Sequence, residues 1–242
     1  MNLLGKRVAW LAEVSRPARR RVTPKRFKEW YINRALDACS NATYIEIGVR
    51  RGESFRIARA ARKIGVDPVR TVGMDILRDG EEFFATTSDD FFLTRARSVL
   101  EPKSVDVALI DGLHEFRQVV RDLLNLEPYM RKDGFIFLDD FNPRTPQRGS
   151  ELPTEGPWNG DVWKLAPFLS NARPDLQFWT VDADEGVGVV TGFGDAPQAD
   201  VGTVMEECKH LRYGDLKRDR PALLHLIRPT EFDAVLSRGR QG

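Results

Sequence analysis

Six side chains of this sequence could do chemistry together because each lies at or near the end of a stretch with strand character. They are Glu46, Asp75, Asp111, His114, Asp139 and Asp140. Carboxylates gathered at one edge of a sheet repel one another unless protons, cations or a metal ion separate them. Because oxygen ligands suit hard divalent ions, the set is compatible with Mg²⁺.

His114 and Asp111 are the candidate catalytic pair. His114 follows Asp111 by three residues, near the start of a helix. A hydroxyl is a poor nucleophile until its proton is removed, and histidine is the usual general base near neutral pH. A helix-capping or supporting role would explain the same position, so both roles stay open.

Residues 44–54 predict a strand, a tight turn and the start of a helix. The turn reads E-x-G-x-x-x-G-x-S, with Gly48 and Gly52 on either side of the bend. Glycine allows positive φ and close approach of a ligand to the backbone, and the first N–H groups of a helix favour an anion. A dinucleotide fingerprint needs a third glycine between these two. The pattern therefore argues against NAD or FAD and for a ligand that carries an amino acid, although an ordinary strand-to-helix turn also fits.

The next two elements supply two candidate nucleoside contacts. Residues 71–75 predict the second strand, and an acid at its tip, Asp75, could accept both ribose hydroxyls of a nucleoside. Asp75 could instead cap a turn. Residues 83–86 predict the third strand, after which Ser88 either contacts the adenine or ribose or caps a helix over residues 91–99.

The remaining elements predict an α/β fold. Strands at Val105–Ile110 and residues 135–140 flank a helix at Phe116–Leu126. Alternating strands and helices favour a doubly wound, mainly parallel, seven-stranded Rossmann-like sheet, closed by an antiparallel terminal strand pair at Gln177–Val181 and residues 186–191.

The domain organisation predicted is a central domain with two helical extensions. Residues 40–195 form the domain, and residues 1–39 and 196–242 form the N- and C-terminal extensions. Residues 142–164, rich in Pro and Gly, are too long for a simple connection and are interpreted as an insertion beside the site. Its tryptophans could line an acceptor pocket or anchor the core.

Composition narrows the class of protein. The 242 residues are 30% charged and 41% hydrophobic, which suits a soluble globular domain. Residues 1–30 hold nine Lys or Arg against two Glu, although the whole chain carries only +1. This basic head is expected to pack on the domain or on a partner subunit of a homo-oligomer, rather than to contact a membrane surface or nucleic acid. Cys39 and Cys208 form no metal or disulfide pattern, which favours a cytoplasmic location.

Four stretches, taken in order, resemble the class I S-adenosylmethionine-dependent methyltransferases. They are E-I-G-V-R-R-G-E-S, V-G-M-D, I-D-G-L-H-E-F-R-Q-V-V-R-D-L and G-F-I-F-L-D-D-F, and the resemblance covers about residues 40–192. Within that class the chain is most similar to small-molecule and sugar O-methyltransferases of the macrolide-tailoring type. It differs from those sugar enzymes at Leu113 and His114, where they place an acid and a tyrosine.

The resemblance implies a cofactor, a reaction and a set of site residues. S-adenosyl-L-methionine would be held at its methionine end by Glu46, Gly48, Gly52 and Ser54, and at its ribose by Asp75. In metal-dependent members the matching acids bind the ion, which here implies Asp111, Asp139 and Asp140 as ligands of Mg²⁺. The expected reaction is methylation of a hydroxyl on a small-molecule or glycan acceptor.

Two other functions use a similar sheet. One is an NAD(P)-dependent oxidoreductase, against which the missing central glycine argues. The other is a non-catalytic methyltransferase-like scaffold that binds a partner through its basic head, and the intact set of acids argues against it.

Overall fold

The computed structural model describes residues 27–71, 74–194 and 201–240. The strands are β1 (Thr43–Ile47), β2 (Arg62–Asp67), β3 (Glu81–Ala85), β4 (Val105–Ile110), β5 (Met130–Leu138), β6 (Gln177–Val181), β7 (Val187–Thr191) and β8 (Leu226–Ile227). The α-helices are α1 (Lys28–Leu36), α2 (Glu53–Ile57), α3 (Ser88–Thr94), α4 (Ala96–Val99), α5 (Phe116–Leu126), α6 (Leu165–Ala172), α7 (Val201–Lys209), α8 (Tyr213–Arg218), α9 (Arg220–Leu223) and α10 (Phe232–Gly239). Short 3₁₀ helices cover Glu127–Tyr129, Val162–Lys164 and Pro229–Glu231.

The described strands form one sheet in the order β3-β2-β1-β4-β5-β7-β6-β8. Strands β1 to β5 pair in parallel, whereas β7 runs antiparallel to both β5 and β6. This confirms the predicted mainly parallel Rossmann-like sheet with antiparallel terminal strands. The described sheet has eight strands rather than seven because a two-residue strand from the C-terminal extension pairs with β6.

The sheet is covered by apolar residues on both faces. In β4, Val107 and Leu109 belong to one buried cluster, while Ala108 and Ile110 belong to the other. Successive side chains of a strand point to opposite faces, so an almost wholly apolar strand is buried on both sides. The carboxyl ends of the parallel strands therefore meet at one edge, where polar side chains can gather.

The second strand of the fold is not the one predicted at residues 71–75, of which residues 72 and 73 lie outside the described part of the chain. The strand at this position in the fold is β2, which ends at Asp67, while Asp75 is exposed in the loop that follows it. β2 begins with charged residues, so its start lacks the apolar pattern from which a strand is predicted. Lys63 is buried there with its ammonium 3.0 Å from the Glu81 carboxylate and donating to the Phe55 carbonyl. Paired in this way, a charge is tolerated inside a sheet.

Three other boundaries differ from those predicted. Helix α3 begins at Ser88, and its N-cap is Thr87, whose hydroxyl accepts the Asp90 N–H. The predicted cap at Ser88 is therefore wrong, and the predicted helix over residues 91–99 is split in two at Arg95. Strand β5 begins at Met130 because a bulge against β4 lets it start earlier.

Both chain extensions pack on the domain through one aromatic cluster. The ring of Tyr31 on α1 lies 4.9 Å from that of Phe232 on α10, and Phe232 also lies 6.2 Å from Phe137 on β5. Rings at these distances and steep angles attract one another beyond their burial. Helix α10 thus presses α1 onto the sheet close to the carboxyl ends of β4 and β5.

The basic head lies mostly outside the described residues, which start at residue 27. Within residues 27–71, 74–194 and 201–240, the helices are all too short or too polar to cross a bilayer.

Replacement of Phe232 by Ala is expected to lower the free energy of unfolding by about 3–5 kcal/mol, because the ring is fully buried between α1 and β5. Urea unfolding followed by circular dichroism measures the loss. Leu93→Ala is the matched control, since that side chain is 82% exposed and its removal should change stability by no more than about 0.5 kcal/mol. Equal stability of the two variants would contradict the packing described.

Candidate active site

The centre of the site is a lysine between two aspartates. Lys28, the first residue of α1, points its ammonium at Asp111 after β4 and at Asp139 after β5, with 2.5 Å to the Asp139 Oδ2 atom. Only 4% of the lysine side chain is exposed. Burial by itself would raise the pKa of Asp111, but the charge of Lys28 and the bond to His114 outweigh it and hold that pKa well below its usual range.

His114 lies between two carboxylates. Its Nε2 atom is 3.1 Å from Asp111 Oδ1, and its Nδ1 atom is 3.0 Å from Asp140 Oδ2. The second oxygen of Asp140 accepts a hydrogen bond of 2.8 Å from the Asn159 amide. Burial would lower the pKa of His114, but the bonds to Asp111 and Asp140 prevail and raise it to about 10. His114 is therefore an imidazolium at neutral pH.

Backbone strain accompanies this pair. His114 and Asp140 both have φ of 57°, in the left-handed region that few residues other than glycine adopt. Such conformations cost about 1 kcal/mol or more and cluster at functional sites. The backbone of the insertion packs closely against the backbone of His114, since a Cβ atom on Gly160 would come within 1.8 Å of the His114 carbonyl oxygen. The fold therefore holds the imidazole in a set orientation.

The glycine turn has the shape predicted for it. Gly48 has φ of 89°, and a Cβ atom there would meet the Asp111 carbonyl oxygen at 2.2 Å. Gly52 has φ of 76° and is the N-cap of α2. The Ser54 hydroxyl, two residues later, donates to the Glu29 carboxylate of α1 at 3.1 Å. Only glycine fits where β1 turns beside β4, and α1 closes over the turn.

Glu46 lies beneath this turn and accepts a 2.7 Å hydrogen bond from the Tyr44 hydroxyl. Burial raises the pKa of Glu46 to about 8, against the opposing effect of Tyr44. At neutral pH most Glu46 side chains are therefore protonated. A protonated carboxyl group of this kind can lose its proton, and so become negatively charged, when a cation binds beside it.

Asp67 takes the position at the tip of β2 that the sequence assigned to Asp75. Its carboxylate oxygens accept the backbone N–H groups of Arg50, at 2.7 Å, and Val69, at 2.8 Å. These bonds aim Asp67 beside the glycine turn, since the Gly48 N–H donates to the Val66 carbonyl of β2. Burial nevertheless raises the pKa of Asp67 above its usual value.

Ser88 lies away from this centre, at the start of α3. Its hydroxyl accepts a 3.1 Å hydrogen bond from the Gln118 amide of α5. Gln118 also donates to Asp89 of α3 at 3.1 Å, so these two bonds tie α3 to α5. The described contacts thus give Ser88 a role in helix packing, and its contact with adenine stays a prediction.

The insertion contributes an aromatic wall next to His114. The Trp158 ring lies 6.1 Å from the imidazole at an angle of 23°, and its Nε1–H donates to the Ser150 carbonyl. Trp163 is fully buried in the core. Of the two roles predicted for these tryptophans, anchoring the core is the role of Trp163. Trp158 instead contacts His114 in the site.

Sequence reasoning missed four site residues, which are Lys28, Glu29, Asp67 and Asn159. Asp67 had a local signal, because it precedes Pro68 and a residue before proline is biased towards extended backbone. Lys28 and Glu29 had none, since a Lys-Glu pair in a basic amphipathic segment looks like any solvated helix start.

The acids do not fit a divalent metal ion as the residues are arranged here. Asp111 and Asp139 share the Lys28 ammonium, and both oxygens of Asp140 are bound by His114 and Asn159. Within the described part of the chain, no group of three or more His, Cys, Asp and Glu side chains could hold a metal. Of the predicted ligands, Asp111 and Asp139 are brought together around Lys28, whereas Asp140 is held by His114 and Asn159.

Replacement of Glu46 by Gln should remove a pH dependence of stability. A carboxyl whose pKa rises from 4.5 to about 8 on folding stabilises the protein below pH 4.5, and this contribution is lost as pH rises through 8. Between those pH values we expect wild type to lose up to roughly 4 kcal/mol relative to Glu46→Gln. Urea unfolding at several pH values measures this. Glu101→Gln, on the surface, should follow wild type, and parallel curves for all three proteins would contradict the shift.

A family model and one curated relative each match part of this chain. A family model described as a methyltransferase domain matches residues 45–141, from β1 to just after β5. Protein R132 of Acanthamoeba polyphaga mimivirus is 28% identical over 114 residues, which are 41% of this chain and 51% of that protein. The chain thus spans about half the length of the curated relative it matches.

Solved structures share the fold across most of the chain. A Corynebacterium glutamicum protein aligns with a TM-score of 0.53 at 12% identity, covering 80% of this chain and 91% of its own. The SAH-bound methyltransferase PaMTH1 of Podospora anserina aligns with a TM-score of 0.52 at 15% identity, covering 81% and 89%. The cofactor-bound protein Rv0187 from MTB gives 0.51 at 14%, covering 80% and 90%. The chain therefore shares a Rossmann-like α/β fold with these structures, and residues 45–141 match the methyltransferase-domain model.

Proposed function

We propose that this protein is an S-adenosylmethionine-dependent methyltransferase that methylates a hydroxyl of a small molecule or glycan. The observation that carries the proposal is the alignment of three features along one edge of the sheet. The glycine turn follows β1, Asp67 ends the neighbouring β2, and the Asp111–His114 pair follows β4 on the other side. Ligands of open α/β sheets bind at this edge.

The residues present fit the proposed cofactor. Gly48 and Gly52 keep the turn free of side chains, and the partly neutral Glu46 beneath it can ionise beside a cation. The Ser54 hydroxyl and the Glu29 carboxylate give the amino acid end a polar surround. The SAH bound to PaMTH1 and the cofactor bound to Rv0187 add support from similar folds.

For the ribose we propose Asp67 rather than Asp75. A carboxylate at the tip of the second strand can accept two vicinal hydroxyls, and two backbone N–H groups orient Asp67 for this. Asp75 is exposed, and it is the neighbouring Met74 whose side chain packs on Gly52.

The chain's own residues would prepare the acceptor. A bound sulfonium cofactor supplies an activated methyl group that needs only in-line placement. Neutral His114 would take the hydroxyl proton on a ring nitrogen that has turned from its carboxylate to the acceptor, while the other ring nitrogen keeps its carboxylate partner. The acceptor oxygen would gain the methyl group, and the electron pair of the C–S bond would stay on sulfur. Asp111 and Asp140 would hold the ring and stabilise the imidazolium that forms.

The acceptor would enter beside His114. Trp158 lies against the imidazole, and the neighbouring Leu113 side chain is 41% exposed. An aromatic and an aliphatic surface next to a base suit a ring-containing hydroxyl compound. The cytoplasmic location and a homo-oligomer stay predictions from the sequence.

The ribose assignment is tested by binding of S-adenosylhomocysteine. Asp67→Asn should weaken binding by about 10- to 100-fold, because a charged acceptor of two hydrogen bonds is lost. Asp75→Asn is the matched control and should bind as wild type does, within about twofold. Isothermal titration calorimetry measures both affinities. The reverse ranking would restore Asp75, and no binding by folded wild type would refute the cofactor.

The proposed base is tested by the pH dependence of methyl transfer to a hydroxyl acceptor. Because the pKa of His114 is about 10, its neutral form grows with pH, and kcat/KM should rise about tenfold per unit from pH 7 to 9. His114→Gln should lose about 10²- to 10⁴-fold and become insensitive to pH. The exposed His210 gives the control His210→Gln, with unchanged kinetics. A flat wild-type profile would exclude His114 as the base.

A further inference from the structure

The backbone position of Lys28 is fixed because the helix that it begins, α1, is packed in the core of the protein. The helix that it begins is buried through Tyr31, Ile32, Ala35 and Leu36. Helix α10 covers the same helix through Phe232. The ammonium therefore reaches Asp111 and Asp139 from a rigid support, over separations of 83 and 111 residues in sequence.

The two aspartates that Lys28 joins are two of the three acids expected to bind Mg²⁺. Each gives its Oδ2 atom to the ammonium, and Asp111 gives its other oxygen to His114. A Mg²⁺ ion needs several oxygens at about 2.0–2.1 Å in octahedral geometry. It could bind here only after Lys28 had left both carboxylates, which would leave a buried charge without its partner.

We propose that the Lys28 ammonium takes the place of a divalent ion in this site, so that the protein needs no metal. Lysine supplies a compact, strongly localised positive charge with three N–H donors. Such a charge holds Asp111 and Asp139 together, as an ion would.

A second consequence concerns the acceptor and rests on the proposed function. A fixed cation beside the base stabilises the negative charge that develops on a hydroxyl oxygen as it loses its proton. Lys28 would act on that oxygen electrostatically and without taking the proton, which goes to His114. The lysine would thus lower the pKa of the acceptor hydroxyl, as a metal ion does for a hydroxyl bound to it.

Manganese binding tests the first part directly and needs neither cofactor nor acceptor. Free Mn²⁺ gives an electron paramagnetic resonance signal that falls on binding, so the purified full chain can be titrated. Wild type should bind no Mn²⁺ at this site. Lys28→Gln, which keeps N–H donors but removes the charge, and Lys28→Ala should each gain one site, at least about tenfold tighter than any wild-type binding.

Two controls show where a new site lies. Lys28→Gln combined with Asp139→Asn should lose the gained Mn²⁺ site. Lys63→Ala removes another buried lysine, which pairs with Glu81 away from these acids, and should behave as wild type does. Thermal melting establishes that each variant is folded before titration.

The possible outcomes separate the inference from the proposed function. Tight Mn²⁺ binding by wild type, or folded Lys28 variants that bind no more Mn²⁺ than wild type, would overturn the inference even if S-adenosylhomocysteine binds. Conversely, a gained site in the variants would support the inference even if the cofactor titration failed. In a methyl transfer assay, wild-type rates should be unchanged by EDTA, and loss of activity that Mg²⁺ restores would also overturn it.

Discussion

The attraction between one buried ammonium and two buried carboxylates is the interaction on which this site depends. Asp111 and Asp139 end neighbouring parallel strands, so the sheet brings their negative charges together. Without Lys28 they would have to take up protons, separate or bind an ion. With it the pKa of Asp111 stays low, and the ionised Asp111 can also hold His114. The cation thus keeps Asp111 in the form in which it orients the imidazole.

The two cations of the site are the Lys28 ammonium and the His114 imidazolium. Both are held in position by parts of the chain outside the parallel strands. Lys28 comes from α1, which the aromatic contact between Tyr31 and Phe232 secures. His114 is held from the other side by the insertion, through Gly160 and through the bond from Asn159 to Asp140. The core packing of these segments offsets the strained backbone at His114 and Asp140. Parts of the chain that resemble no motif therefore complete the site.

Some of the site could be predicted residue by residue. The turn at Gly48 and Gly52 and the acids after β4 and β5 follow apolar, β-prone runs with clear ends, so their places were predicted correctly. Asp67 was missed because a buried lysine and a glycine weaken the strand pattern of β2, while the later run over residues 71–75 has a stronger local pattern. A local pattern cannot show that Lys63 is neutralised by Glu81 across the sheet.

What the sequence by itself determined is the set of groups at the carboxyl edge and the fold that gathers them. Hydrophobic periodicity and glycine spacing are local properties, and they are enough to place a strand, a turn and the acid that follows. Only the tertiary structure decided which cation the acids would share. That choice depends on a helix that begins 83 residues before Asp111. This helix is packed against the sheet by Phe232, 201 residues after its contact Tyr31. Contacts between distant segments are set by shape and burial in three dimensions, and the order of residues along the chain carries no local sign of them.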